Sequence, residues 1–245
     1  MKKLLHFIEK LVGVYRWHPK IALRYLPVTK KINSLFSDSV SILEVGSANL
    51  GIAPYIRQSV VGLDLKFEKP LFEQLIAVYG SVLSIPFVDN SFGVVVSLDM
   101  LEHIAPANRE KAIYEMLRVT TKLLCLGVPV GEVAHLQDEE LRADYQKKRG
   151  ASFHFLDEQV EYGVPMKQEI MSYVEKAAND LGKSVKISCE GNINLTLRKW
   201  LMTGWISNNI IANLFFRKIL LLFIPIMLTK NQEPTYRQLF FVTIG

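Results

Sequence analysis

Residues 42–65 read ILEVGSANLGIAPYIRQSVVGLDL. A short β-rich run, 41–45 (SILEV), ends at Gly46, and a second, 60–65 (VVGLDL), ends beside Asp64. A strand that runs into glycine lets the backbone approach a ligand closely. An acidic residue at the tip of the next strand, about eighteen positions after Gly46, is placed to accept both hydroxyls of a ribose. Neither common phosphate motif is present. Ala48 stands where G-x-G-x-x-G requires glycine, and no Lys-Ser/Thr follows Gly51. The glycine loop alone also suits a plain tight turn. Gly46 and Asp64 together point to a nucleoside site at the carboxyl ends of a parallel sheet.

Outward from this unit, strand and helix patterns alternate, which predicts a mostly parallel sheet covered on both faces. A helix begins over 53–57, and another covers 71–78. The third strand is 79–83. The fourth, 92–98 (FGVVVSL), is apolar without alternation and so buried on both faces. A helix follows over 108–119, then a fifth strand over 122–128, stopped by Pro129. Residues 131–162 are polar and irregular, which reads as a lid-like loop. A helix over 166–181 and strands over 185–188 and 238–244 complete seven strands. The apolar, basic segment 197–230 is inserted before the last strand and reads as helical.

The chain has 245 residues, 49% hydrophobic and 22% charged, with a net charge of +5. This suits one elaborated domain and excludes a disordered chain. Two cysteines, Cys125 and Cys189, are too few for a disulfide framework and fit a reducing, cytoplasmic compartment. The first residues mimic a signal peptide, but His6, Glu9 and Lys10 interrupt the apolar run. They read instead as an amphipathic helix with Leu4, Ile8, Leu11, Val12 and Tyr15 on one face, part of a helical extension over 1–35. In 210–228, Asn213, Arg217 and Lys218 break the apolar run, which argues against a transmembrane helix. Charge is distributed as +5 over 1–45, −5 over 46–196 and +5 over 197–245. Basic, apolar ends are what the anionic inner face of a membrane attracts. They also suit two solvated outer helices. No basic-aromatic stripe suggests nucleic acid.

Residues 80–119 carry the most specific signal: GSVLSIPFVDNSFGVVVSLDMLEHIAPANREKAIYEMLRV. This stretch resembles the class I S-adenosylmethionine (SAM)-dependent methyltransferases, in the broad group of the ubiquinone and menaquinone biosynthesis enzymes. IPFVDNSFGVVVS at 85–97, LEHI at 101–104, and Glu115 with Arg118-Val119 match that group's pattern in order and spacing. ILEVGS and VVGLDL match its first two motifs, and the resemblance covers about residues 40–130. It implies a seven-stranded Rossmann-like α/β sheet with helices on both faces and the last strand antiparallel. It also implies SAM as cofactor. Glu44, Gly46, Ser47, Ala48 and Gly51 would form the loop at the methionine end. Asp64 would hold the ribose, Leu65 would pack on the adenine, and Ser81-Val82 would sit at its rim. Asp99 and Met100 would lie near the sulfonium.

This chain departs from the pattern at several points. Ala48 replaces the second glycine, which suits an alanine if the local φ is negative. Leu50 lengthens the loop, Ser81 replaces an aspartate, and Gly93 replaces the aspartate of FDVVVS. Two readings follow. One is a methyltransferase acting on a small or lipid-like acceptor, with peripheral contact to an anionic membrane. The other is a fold kept as a binding module or partner subunit. The apolar face of 200–228 would serve a second copy of the chain as well as lipid. A nicotinamide-dependent oxidoreductase lacks the glycine spacing.

His103 follows the fourth strand and suits a general base for an oxygen acceptor, or a histidine that orders the loop. His135, His154 and Tyr162 fall in the lid segment and are expected substrate contacts. No histidine or cysteine cluster has metal-ligand spacing.

Overall fold

A computed structural model describes residues 2–69 and 71–245, with side chains from Phe7 onward. The N-terminal helices are α1 (Lys2–Leu11) and α2 (Pro19–Leu35). Strands β1 (Ile42–Val45), β2 (Val60–Asp64), β3 (Leu75–Tyr79) and β4 (Phe92–Leu98) follow. Then come α3 (Pro106–Arg118), β5 (Thr120–Pro129), α4 (Glu132–Arg149), α5 (His154–Tyr162) and α6 (Lys167–Asp180). The chain closes with β6 (Val185–Asn194), α7 (Leu195–Ile206), α8 (Ile210–Arg217), α9 (Ile224–Met227) and β7 (Thr235–Ile244). The strands form one sheet in the order β3-β2-β1-β4-β5-β7-β6. Only β7 runs against its neighbours, pairing antiparallel with β5 and β6. The seven-stranded sheet with an antiparallel last strand is therefore as expected.

Every residue of β1 and β4 is buried, which is why neither alternates. On one face, Ile113, Met116 and Leu117 of α3 and Ile170 and Val174 of α6 pack over Leu124 and Phe240. On the other, Tyr25, Val28 and Ile32 of α2 cover Val94, Cys125 and Phe241.

Three expectations change. The helix read at 53–57 is one 3₁₀ turn, Ala53–Tyr55, because α2 fills the space a helix would take. The segment read as helix over 71–78 contains β3, which pairs with β2 from Val60↔Leu75 to Asp64↔Tyr79. The third strand therefore starts four residues earlier than read. Ten residues between β2 and β3 are too few for a crossover helix. The lid-like loop over 131–162 is two helices. Gly131 (φ +83°) and Gly150 (φ +64°) bracket α4, whose buried seam is Ala134, Asp138 and Leu141. An aspartate in the middle of that seam hides the apolar rhythm.

The insert 197–230 is helical, as expected. Residues 210–227 have a mean hydropathy of 2.0, long and apolar enough by composition to cross a membrane. They do not form one rod. Lys218 (φ −125°) breaks the helix, and a 3₁₀ turn, Ile219–Phe223, separates α8 from α9. The eight residues of α8 reach about 12 Å, against a hydrocarbon core of about 30 Å. None of them is buried. In α1 and the turn after it, Ile8, Leu11 and Val12 are exposed, whereas Tyr15 packs on Phe72, 6.4 Å between ring centroids. The side chain of Leu4 lies outside the described residues.

Gly204 of α7 sits directly beneath the Phe216 ring, so a Cβ there would overlap the ring. Gly204→Ala is expected to cost about 1–3 kcal/mol and to lift α8 off α7. Hydrogen exchange should then speed up over 210–217 while β4 and β5 stay protected. Unchanged exchange in α8 would refute this docking.

Candidate functional site

A cavity of about 1030 Å³ opens at the carboxyl ends of β1, β2 and β4, where open α/β sheets bind ligands. Gly46 turns the chain out of β1 at φ +80°, and its N–H donates to the Leu63 carbonyl (2.8 Å). A Cβ on Gly46 would stand 2.8 Å from Met100 Cγ. Ala48 follows at φ +46°, not at the negative φ its identity suggested. That left-handed geometry costs an alanine about 1–2 kcal/mol. Asp64 holds it: Oδ2 accepts the Ala48 N–H at 2.8 Å, and Oδ1 accepts the Lys66 N–H at 3.3 Å.

Beneath this loop lies Glu44, fully buried. It accepts the Tyr25 hydroxyl (2.7 Å) and the Ile52 N–H (2.6 Å). Burial pushes its pKa up to about 7, against those two bonds and the nearby Arg24 charge. Gly51 (φ +49°) passes so close that any Cβ would overlap the Glu44 carboxylate. Glu44, Ser47 and Gly51 are therefore the underside of the loop and do not line the cavity. Gly46, Ala48, Asp64, Leu65, Ser81, Val82, Asp99 and Met100 do line it. Leu65 is 76% exposed at the rim, an apolar surface left for a flat ring to cover. Ser81 is turned inward to its own loop, its hydroxyl accepting the Leu83 N–H at 3.2 Å.

The opposite half of the cavity is built around Asp99 by residues that, apart from Asp99 and His103, no sequence motif announced. Asp99, at φ +53°, is gripped by Arg237 through two nitrogens and by Arg24 Nη2 at 2.6 Å. Burial works to raise its pKa, and Arg237 and Arg24 overcome that, holding it at about 2. Arg237 also donates to Asn192 (2.7 Å), which donates to the Leu23 carbonyl (3.1 Å). Glu102 is 2% exposed, and its Oε2 has no partner among the described residues. Burial, and after it the Asp99 charge, raise its pKa well above the ordinary carboxylate value, against the pull of Arg237 and Arg24.

A second buried pair joins the helices that replace the expected loop. Arg198 of α7 pairs with Asp138 of α4, and its guanidinium lies 3.7 Å from the Tyr236 ring centroid. Tyr236 donates to Asp138 Oδ2 (3.1 Å), and Gln159 of α5 donates to the Tyr236 oxygen (2.7 Å). Phe153, Leu156, Leu201, Met202 and Trp205 supply an apolar wall.

The expected substrate residues divide. His103 lines the cavity, half-buried, with Nδ1 3.5 Å from Glu158 Oε2. Burial lowers its pKa, opposed by Glu158 and Asp99. His154 lines the rim, Nε2 3.2 Å from the other oxygen of Glu158. Glu158, between the two histidines, was not foreseen. His135 and Tyr162 lie outside the lining: His135 faces Glu139 at 3.7 Å, and the Tyr162 carbonyl accepts from Arg109 (3.2 Å). They fall outside because α4 and α5 are helices, which turn those two positions away from the cavity. Among the described residues, no three His, Cys, Asp or Glu side chains gather closely enough to hold a metal ion.

Residues 43–123, a third of the chain, match the family model of a methyltransferase domain. No curated protein matches the chain by sequence. Among solved structures, the plantazolicin methyltransferase BpumL, in complex with a triazolic desmethylPZN analog and SAH, has a TM-score of 0.57. It is 11% identical, over 93% of this chain and 85% of that one. A chain from the complex of the Haloferax volcanii Trm112 methyltransferase activator with a methyltransferase has a TM-score of 0.53 at 13% identity, covering 92% of each. A SAM-dependent methyltransferase from Thermotoga maritima has a TM-score of 0.50 at 17% identity, covering 98% of this chain and 99% of that one. At such identities the likeness shows the fold alone. The cavity fits SAM: Asp64 has lone pairs left for two ribose hydroxyls, and Leu65 offers an exposed apolar face for a ring.

Asp64→Ala removes both the ribose acceptor and the strut of Ala48. It is expected to weaken SAM binding by about two orders of magnitude, read by titration calorimetry against wild type with NADH as control. Equal affinities would remove Asp64 from the site.

Proposed function

We propose that this protein, a SAM-dependent methyltransferase by its domain and its fold, methylates a small amphiphilic, lipid-like acceptor at the anionic inner face of a membrane. One observation carries the membrane part. The exposed apolar residues of α1 (Phe7, Ile8, Leu11) and of the insert (Ile210, Ile211, Leu222, Ile226) belong to segments that meet in space. Glu9 of α1 and Lys218 after α8 form the ion pair that joins them. The two basic ends of the chain thus come together, and Lys10, Arg16, Arg217 and Lys218 fall within or beside the apolar segments. Apolar side chains with a basic rim suit insertion into an anionic interface.

The acceptor wall lies next to that face. Leu201, Met202 and Trp205 of α7 line the cavity, and α8 packs on the outside of α7 through Phe216 and Gly204. A chain drawn from the bilayer meets this wall first. The motif likeness to quinone-pathway methyltransferases supports the same acceptor class.

Bound SAM supplies an electrophilic methyl group. The residues of this chain position and shield the reaction. Asp64 and the Gly46–Ala48 backbone hold the nucleoside end, and Asp99 and Met100 stand between the two halves of the cavity. His103 is neutral at neutral pH, its Nδ1 turned to Glu158. Its Nε2 is left to take the proton that an oxygen or nitrogen acceptor gives up.

Co-sedimentation with vesicles tests the membrane part. Wild type should bind phosphatidylglycerol vesicles at low salt and phosphatidylcholine vesicles about tenfold more weakly. Ile211→Glu with Leu222→Glu should abolish binding while leaving SAM affinity unchanged. Labelled methyl from SAM should enter the organic-extractable fraction of a cell extract. Label confined to the aqueous fraction would refute the lipid-like acceptor.

A further inference from the structure

Where α2 meets α7 and β7, four cations of the acceptor half, Lys20, Arg24, Arg198 and Arg237, gather around two carboxylate partners, Asp99 and Asp138, while Glu158 stands between His103 and His154. Arg24 and Arg237 share the single charge of Asp99, and Arg198 takes Asp138. Glu102 Oε2 has no partner among the described residues, and burial raises its pKa. Lys20 remains. It lies on α2 one turn before Arg24, on the same face of the helix. Among the described residues no carboxylate comes within ion-pair distance of its ammonium, which lies 4.8 Å from the Trp205 ring centroid. Burial, with Arg24 and Arg198 adding to it, lowers its pKa to about 7. A cation held among apolar groups and other cations is destabilising until an anion joins it.

We propose that Lys20 is the seat of an anionic group, a carboxylate or a phosphate, carried by the acceptor beside its apolar body. This rests on the methyltransferase reading above and specifies its substrate. The same anion chemistry has a second source in the carboxylate of the cofactor. Position favours the acceptor. Arg24 is the residue whose charge reaches Glu44 beneath the loop after β1. Lys20, one turn away, lies against Leu201 and Trp205 of α7. A narrow cleft shares those three residues with the main cavity and continues to Phe216 and Arg217 of α8. An amphiphile held in the main cavity would keep its charged group at Lys20 and its chain along Leu156, Met202 and Trp205.

The test uses the full chain as wild type, Lys20→Met and Lys20→Arg. Each is titrated calorimetrically with decanesulfonate, decyl maltoside, inorganic sulfate and S-adenosylhomocysteine. Decanesulfonate should bind wild type and lose about tenfold or more in Lys20→Met. Lys20→Arg should restore most of it, and decyl maltoside should not distinguish the three proteins. The sulfonate keeps its charge at every working pH, so its affinity for wild type should fall as pH rises through about 7, and Lys20→Arg should show no such fall. The other groups facing Lys20 are His18 at the N-cap of α2, Arg24 on α2, Arg198 on α7, Arg217 on α8, Asp99 and Arg237. Burial holds His18 down at about 4, the arginines keep their charge, and Asp99 titrates far below this range.

Equal decanesulfonate affinity in wild type and Lys20→Met overturns the seat. So does loss of S-adenosylhomocysteine affinity in Lys20→Met with decanesulfonate unchanged, which would assign Lys20 to the cofactor. Inorganic sulfate binding as tightly as decanesulfonate, with the same Lys20 dependence, supports the seat but overturns the lipid-like acceptor. Failure of all three proteins to bind S-adenosylhomocysteine overturns the cofactor reading, whatever the sulfonate does.

Discussion

The buried carboxylate of Asp99, clamped between Arg24 and Arg237, is the interaction on which the site depends. It joins the end of β4 to α2 and to β7, and Asn192 carries the connection to β6 and back to the Leu23 carbonyl. Segments from both ends of the chain are thereby held over the middle of the sheet. Removing the Asp99 carboxylate leaves two guanidinium groups buried without a counter-charge, a far larger penalty than the cluster's own net stabilisation. The triad therefore fixes where α2 lies more than it adds stability. Where α2 lies determines where Tyr25, Lys20 and Arg24 stand.

The loop after β1 is determined from below in a similar way. Glu44 fills the space under Gly51 and accepts the Ile52 N–H, so only glycine passes over it. Asp64 holds the same loop from the side through the Ala48 N–H. An alanine at a left-handed position survives because the neighbouring hydrogen bonds over-determine its backbone. The loop thus retains its shape although it departs at that position from the glycine pattern of the methyltransferases it resembles.

The electrostatics of the two halves of the cavity differ for a physical reason. The nucleoside half is backbone and one half-exposed carboxylate, whose oxygens retain access to solvent. The acceptor half is lined by side chains of α2, α5, α7 and β7 that burial has desolvated. Desolvation raises the pKa of Glu102, lowers that of Lys20 to about 7 and makes each charge depend on its partner. Such a pocket discriminates by charge as well as by shape.

The strand patterns, the Gly46 turn, Asp64 and the 85–104 block were legible in the sequence, because each depends on local periodicity and short spacing. Six of the seven strands, the helices over 108–119 and 166–181 and the helical insert followed from the same local rules. Segments whose structure depends on distant partners were misread. β3 looked helical until β2 paired with it, and α4 looked like a loop because its seam is buried by an aspartate that Arg198 neutralises sixty residues later. The residues expected to face a cofactor lie within a few positions of a strand end, so sequence order places them together at one end of the sheet. Lys20, Arg24, Glu158, Arg198 and Arg237 come from five scattered points in the chain. Only the tertiary structure brings them together, since burial and pairing give these side chains their chemistry and neither is a property of a short stretch of sequence.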